Sequence, residues 1–332
     1  MVAGRGRVSK QPCVETDHGR CADTPLAIPL AGWWVILRRA WAEADRDNIS
    51  VAAAGVAFLG LLALFPAMVA GTALYGLIAD PASIGPQIEP LATLLPPAGR
   101  DILFSQLASL TAQKPASLGF GLLFSLIVAL WSAGGGIRAL MRSLNMAYGE
   151  EERRSFVRFA GTALVLTLGT MLTLAVMLVT VVALPAVLNF VGLDRLVEGV
   201  VRLSRWPLLA TALILALSII YRHGPCRRRA KWRWVSPGAV AATLLWLTGS
   251  AGFSLYISNF ADYNATYGSL GAGMALLMWL YLGAYSVLLG AELDAAAERH
   301  TLRDTTVPPD MPIGQRGAAV ADQKNIPVSY RS

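Results

Sequence analysis

Twenty consecutive residues, Leu118 to Ile137, carry no charge, and the stretch then runs on without a proline through Arg138, Arg142 and Asn145 to Tyr148. A helix of twenty residues rises about 30 Å, the thickness of a bilayer's hydrocarbon core. Arg138, Arg142 and Asn145 recur at i, i+4 and i+7, so they share one helical face. Between the two parts, Gly134, Gly135 and Gly136 let a second backbone come close or loosen the helix. A spanning helix that continues into a polar stripe works in lipid at one end and in water or protein at the other. It reads as the hub of a membrane-embedded bundle.

The rest of the chain supports that environment. Only 15% of the residues are charged and 55% are hydrophobic, whereas a soluble domain carries nearer a quarter charged. The apolar excess is concentrated in long uncharged runs, which makes this an all-α polytopic membrane protein. Residues 1–29 have no apolar run of the kind that opens a cleaved signal peptide, so targeting falls to the first spanning helix. Cys13, Cys21 and Cys226 show no C-x-x-C spacing, and reduced, non-ligating thiols are expected.

Taken in order, residues 1–29 read as a disordered tail rich in Gly, Pro and charge. From Leu30 to Asp47, Trp33, Trp34, Ile36, Leu37 and Trp41 alternate with Arg38, Arg39 and Arg46. The pattern fits an amphipathic helix lying on the membrane surface, and equally a short helix packed on the end of the bundle. Six spans follow, at Val51–Ala79, Leu118–Ile137, Phe159 to about Leu184, Trp206–Tyr221, Val235–Ser258 and Tyr267–Ala291. Pro66 predicts a kink in the first, and Pro185 marks the end of the third. The fourth is short, although Leu196 to Leu203 could extend it. Residues 80–117 predict two short amphipathic helices separated by Pro96-Pro97, resting on the outer face. Residues 301–332 have no apolar periodicity and read as a second disordered tail, so the membrane domain is 30–300.

Basic residues orient the bundle. Of the 28 Lys and Arg, 23 fall in the N-terminal segment, the 138–158 and 222–234 loops and the C-terminal segment. The other side holds only Arg100, Lys114, Arg195, Arg202 and Arg205. The positive-inside rule then places both termini in the cytosol of a bacterial inner membrane. The formal charge of +7 is accounted for by topology and by anionic lipid headgroups on the cytosolic side, the expected partners. No nucleic-acid partner is expected: only Arg227 to Trp234 interleaves basic and aromatic residues, and it is too short for a groove. Trp232 and Trp234 read instead as interfacial anchors. Gly249, Gly252, Gly283 and Gly290 permit close packing within or between chains, which leaves a homo-oligomer open.

The inventory for catalysis is thin. His18, His223 and His300 are the only histidines, and there is no H-E-x-x-H, P-loop or G-x-S-x-G. No catalytic residue, cofactor site or metal site is expected. What remains is a set of polar residues near the membrane: Arg138, Arg142, Asn145 and Tyr148 on the second span, Asp262, Tyr267, Tyr281 and Glu292 on and around the sixth. Ionisable groups at that depth pair with one another or line a watery pathway. An ion pair from Arg138 or Arg142 to Glu292, tying the second span to the sixth, is the structural reading. A substrate or headgroup pathway is the functional one, and interfacial snorkelling is a third.

Three stretches resemble the YihY/virulence factor BrkB family of bacterial inner-membrane proteins, long labelled ribonuclease BN. They are AAAGVAFLGLLALFP (Ala52–Pro66), LWSAGGGIRALMRSLNMAYGEEERRSF (Leu130–Phe156) and YGSLGAGMALLMWLYLGAYSVLLGAEL (Tyr267–Leu293). With Ser236-Pro237-Gly238 at the start of the fifth helix, the resemblance covers roughly residues 30–295. It implies a six-helix membrane protein without a firmly assigned activity. The ribonuclease label implies a metal-dependent hydrolase with a histidine-aspartate cluster, which this sequence lacks. Links of other members to virulence and envelope properties fit transport or lipid handling better, with a non-catalytic envelope scaffold as the alternative.

Overall fold

A computed structural model of the chain describes residues 18–76, 120–191, 195–260 and 263–323. Among these residues the protein is helical, with no strand beyond one isolated antiparallel bridge between Ala230 and Thr306. After a 3-10 turn at Pro25–Ala27 come α1 (Leu30–Arg46), α2 (Ile49–Gly76), α3 (Phe120–Ala147) and α4 (Phe156–Val191). They are followed by α5 (Arg195–His223), α6 (Trp232–Phe260), α7 (Tyr263–His300) and the single turn α8 (Ala319–Asp322).

Four stretches, in α4, α5, α6 and α7, are long and apolar enough to cross a membrane, and α1 with α2 forms a fifth candidate bent by 67°. The 28-residue helices α2 and α3 hold the described part of the first two expected spans, so six spans are compatible with the fold. Each long helix packs on the next from α2 to α7, and α7 returns to α2. The faces turned away from these contacts are apolar and exposed, including Val165, Leu172 and Leu174 on α4 and Leu244 and Leu255 on α6. Soluble proteins bury such surface; lipid accepts it.

The hub is α7, not α3. Helix α3 packs on α2, α4 and α7, whereas α7 touches α1, α2, α3, α6 and α8. The reason lies in its last turns. Ala291, Ala295, Ala296 and Ala297 are all buried, and side chains this small let helices close in from several directions at once. Gly238 of α6 and Gly290 of α7 carry this to backbone contact: a Cβ on Gly238 would collide with the Gly290 carbonyl oxygen.

Two helix boundaries differ from the sequence expectation. Helix α4 continues through Pro185 to Val191; proline deletes one hydrogen bond but keeps a helical φ, and an apolar setting penalises leaving the helix more. Helix α5 is continuous from Arg195 across Pro207, so Leu196–Leu203 belongs to the same helix as the fourth expected span. Pro66 lies within α2, which stays helical to Gly76; its side-chain surroundings, and the whole of 80–117, are outside the described residues.

Both segments expected to be tails are folded where they are described. The His300 ring donates to the His18 carbonyl, and Thr301 Oγ1 donates to the Ala22 carbonyl at 2.8 Å. Arg316, almost fully buried, donates to the carbonyls of Leu302, Arg303, Met311 and Ala321. Hydrogen bonds to backbone, not an apolar stripe, organise residues 301–323, so periodicity could not reveal them. Cys21 is disulfide-bonded, against the expectation of three free thiols, while Cys226 is free.

Helix α1 packs on the end of the bundle, and it keeps a second, apolar face exposed. Gly32, Ile36, Ala40 and Ala44 form a buried stripe facing α7, while Leu30, Trp34, Leu37 and Trp41 form an exposed stripe on the other side. Trp234 departs from its expected role as an anchor. It is 1% exposed, in a core with Ile36, Leu293 and Ala296, because the first turn of α6 is covered by α1 and α7.

Candidate functional site

The C-terminal turns of α7 place acidic residues on two faces. Asp294 and Glu298, four apart, look toward α6 and the 222–234 loop; Glu292 and Arg299, seven apart, look toward α1 and the start of α2. Glu292, Asp294 and Glu298 are each 0% exposed.

The first face is compensated. Arg227 grips Glu298 through two hydrogen bonds of 2.8 and 3.0 Å, and Thr305 Oγ1 donates to the same carboxylate at 2.7 Å. The Arg227 guanidinium also lies 4.0 Å over the Tyr148 ring. Burial alone would lower the pKa of Arg227, but the Glu298 carboxylate outweighs it and the pKa is raised. Asp294 Oδ1 accepts the Gly238 N–H at 2.6 Å, just after Pro237, which has no N–H to give. Its Oδ2, like the Tyr148 hydroxyl, meets no donor or acceptor among the described residues. Burial first, and then the Asp294 carboxylate, push the Tyr148 hydroxyl pKa well up.

Beside it, Asn145 bridges three segments. Its Oδ1 accepts the Cys226 N–H at 2.7 Å and its Nδ2 donates to Glu152 at 2.9 Å. Arg154 holds Glu152 through Nε and Nη2, both at 2.7 Å, and reaches the Gly224 carbonyl. Those Arg154 bonds, aided by the Asn145 amide and opposed by partial burial, hold the Glu152 carboxyl at about 2. The turn after α3 is thereby tied to the 222–234 loop.

The second face is compensated less directly: Arg299 is the positive charge that acts on it, without an ion pair to Glu292 among the described residues. Neither oxygen of Glu292 meets a donor among the described residues. The Asp47 carboxyl, at the break between α1 and α2, adds a negative charge that acts on Glu292. Asp47 is half-buried and Asn48 after it has a φ of 50°. Glu43 lies nearby on α1 and is 3.9 Å from Arg299. Burial raises the pKa of Asp47, and Glu43 adds to the effect.

The residues singled out in the sequence therefore divide. Asn145, Tyr148 and Glu292 gather at one end of the bundle. Arg138 and Arg142 do not pair with Glu292, and neither has an ion-pair partner among the described residues. Arg138 folds back on its own helix, donating to the Trp131 carbonyl at 3.0 Å and lying over the Trp131 ring. The absence of a Cβ at Gly134 leaves room for it: one there would lie 2.9 Å from Arg138 Nη1. Arg142 is exposed, 5.7 Å from the centre of the Phe159 ring. The pairing fails because their face turns toward α4, while α7 meets α3 along another. Tyr281 is half-buried beside Tyr285. Asp262 and the side chain of Tyr267 fall outside the described residues. Sequence reasoning missed Arg227, Glu298 and Asp47; only the four-residue spacing of Asp294 and Glu298 on an alanine-rich helix could have pointed to a buried acidic face. No three His, Cys, Asp or Glu side chains group as metal ligands among the described residues.

Comparison with known proteins gives the chain its relatives. Residues 40–313 match the family described as Virulence factor BrkB. A putative ribonuclease-like protein, YfkH of Bacillus subtilis, is 39% identical over 196 residues, covering 58% of this chain and 71% of that protein. A UPF0761 membrane protein of Pseudoalteromonas translucida is 27% identical over 280 residues, covering 82% of this chain and 88% of its own length. Another from Photobacterium profundum is 30% identical, covering 75% and 76%. No solved structure matches. With its helical architecture and a match over most of its length, the chain is a membrane protein of the BrkB virulence factor family.

Proposed function

We propose that this protein moves small solutes or lipid in the bacterial inner membrane, with both termini in the cytosol, and that it catalyses no covalent reaction. The observation that carries the reading is Glu292, a sealed carboxyl without a hydrogen-bond donor among the described residues, where α7 meets the broken α1–α2 unit. An ionisable group sealed without a hydrogen-bond donor is expensive inside a membrane protein and marks the path of an ion, proton or substrate. Broken helices beside such a group recur where transport proteins change conformation. The orientation is supported by the packing of four segments at one end, the strongly basic 222–234 among them: 18–28, 145–156, 222–234 and 301–323 are joined by hydrogen bonds, among them Leu302 to Arg20, Val307 to Arg229 and Ala319 to Glu150. Anionic headgroups on that side are the expected lipid partners. Purified protein in liposomes should transport a fluorescent lipid or small solutes faster than empty vesicles. Vesicles with folded protein that move neither, across a panel of both, would remove the reading.

A scaffold is the second reading, favoured by the compensated face, where Arg227, Glu298 and Thr305 fasten the C-terminal segment to the bundle. On that reading, Arg142→Ala and Glu292→Ala lower protein abundance and nothing else. Loss of an envelope phenotype at normal abundance would exclude it. The ribonuclease-like name belongs to the Bacillus relative, and tRNA trimming is not proposed for this chain.

A further inference from the structure

The 222–234 loop carries six basic residues, and the protein's own contacts occupy three of them. Arg227 is held by Glu298, Arg228 donates to the Pro309 carbonyl, and Lys231 meets Asp310 at 2.9 Å. The side chains of Arg222, Arg229 and Arg233 have no hydrogen-bond or ion-pair partner among the described residues. The sealed Nε of Arg222 shares that lack. These arginines stand at the edge of the lipid-facing surface. Arg222 lies seven and three residues after Leu215 and Ile219 on α5, and so ends their exposed apolar stripe. Arg233 lies seven and eleven residues before Val240 and Leu244, and so begins a second stripe on α6. Helices α5 and α6 pack together, so both stripes stop at the same end of the bundle. Between them Trp232 is 47% exposed. The Arg222 guanidinium lies 4.4 Å over its ring, and the His223 ring meets it edge-on at 6.5 Å. The loop is clamped just before α6, where Lys231 N–H donates to the Thr305 carbonyl and Val307 N–H to that of Arg229.

We propose that Arg222, Arg229 and Arg233, with Trp232, form a binding site for the phosphate of an anionic phospholipid in the cytosolic leaflet. This deepens the lipid-partner part of the proposed function and rests on the orientation given there; it does not need transport. Three guanidinium groups without a carboxylate partner need an anion from outside the chain. A phosphodiester supplies it, because its two free oxygens accept from the planar guanidinium fork. Stacking on Trp232 holds Arg222 in one orientation and sets it at headgroup depth, where tryptophan is favoured. The positive end of α6, which begins at Trp232, adds to the same field. The acyl chains would lie along the two apolar stripes below. A free phosphate would gain nothing from those stripes, so the occupant is the lipid. A zwitterionic headgroup would leave most of the positive charge unmatched, so the lipid is anionic.

The test is native mass spectrometry of the full chain in neutral detergent, with phosphatidylglycerol or phosphatidylcholine added. The wild type should bind phosphatidylglycerol more tightly than phosphatidylcholine. Each of Arg222→Gln, Arg229→Gln and Arg233→Gln should weaken phosphatidylglycerol binding about fivefold, and the triple variant should bind both lipids alike. Arg153→Gln removes an exposed arginine already paired with Glu151 and should leave the preference intact. Size-exclusion profiles check folding. A wild type without the preference overturns the site. So does a triple variant that keeps it, or an Arg153→Gln that loses as much as the other single variants. Inorganic phosphate should not displace the bound lipid; displacement would make the site one for a free anion and overturn the lipid assignment. The same preparations in liposomes separate this claim from the transport reading. Flux without a lipid preference retains transport and removes the site. A lipid preference without flux retains the site and removes transport.

Discussion

Arg227 and Glu298 meet through two hydrogen bonds of 2.8 and 3.0 Å with both side chains fully shielded from solvent. Breaking such a pair leaves a lone buried charge, which costs roughly 3–5 kcal/mol, whereas replacing both partners with apolar residues costs far less. Arg227→Ala and Glu298→Ala should therefore each lower the melting temperature in detergent sharply and release residues 301–323 to protease, because Thr305 shares the carboxylate. The double variant Arg227→Met, Glu298→Leu should recover much of the loss. Single variants that melt with the wild type would show that the pair contributes no net stability.

Close approach of α6 and α7 makes a second prediction. A Cβ on Gly290 would lie 2.6 Å from the Tyr221 hydroxyl and 2.8 Å from the Ala242 Cβ. Gly290→Ala must part the helices or displace Tyr221 from the Val287 carbonyl that it donates to, at a cost of at least about 1–3 kcal/mol. Gly252→Ala, with nothing within 4 Å of the added carbon, is the control and should be neutral or slightly stabilising. Equal melting temperatures for the two variants would contradict the packing.

The same pair of glycines shows what the sequence could and could not convey. Uncharged runs of spanning length are set by the solvent, so the long helices and their order were legible. Which face of α3 meets α7 depends on side-chain volumes around the whole bundle. Arg138 and Arg142 were therefore placed on the right helix face and given the wrong partner. Asn145, Tyr148 and Glu292 were legible as polar residues out of place in an apolar pattern. Arg227 was hidden in a basic loop where topology already explained positive charge. Asp304 and Arg316 organise the C-terminal segment through backbone hydrogen bonds, which leave no periodic trace.

Glu152 makes the turn after α3 sensitive to acid. Its pKa is about 2 in the folded chain, against an ordinary 4.5, chiefly through Arg154. A carboxyl with a depressed folded pKa stabilises fully above its unfolded value, and the contribution is lost as pH falls toward the folded one. The window is pH 4.5 down to about 2. Because the group is largely exposed, solvent screening keeps the effect small. Glu152→Gln should lower the melting temperature at pH 7 and converge with the wild type at the acid end. Two parallel curves across that window would sink the assignment.

Asp47 has the opposite sign. Burial raises its folded pKa above the ordinary 3.8, so its favourable contribution is complete below that value and fades as pH rises through the folded one. The wild type should lose stability toward alkaline pH, and Asp47→Asn, which keeps the side chain's shape without titrating, should flatten that limb. Arg142 gives the contrast. It has no acidic partner among the described residues, so a double-mutant cycle between Arg142→Ala and Glu292→Gln should give a coupling below about 0.5 kcal/mol, the value for independent sites. The corresponding cycle with Asp47→Asn should give a larger coupling that changes with pH, since each carboxyl's charge acts on the other. A large Arg142–Glu292 coupling beside a negligible Asp47–Glu292 one would return Glu292 to the interhelical ion pair that its sequence position first suggested.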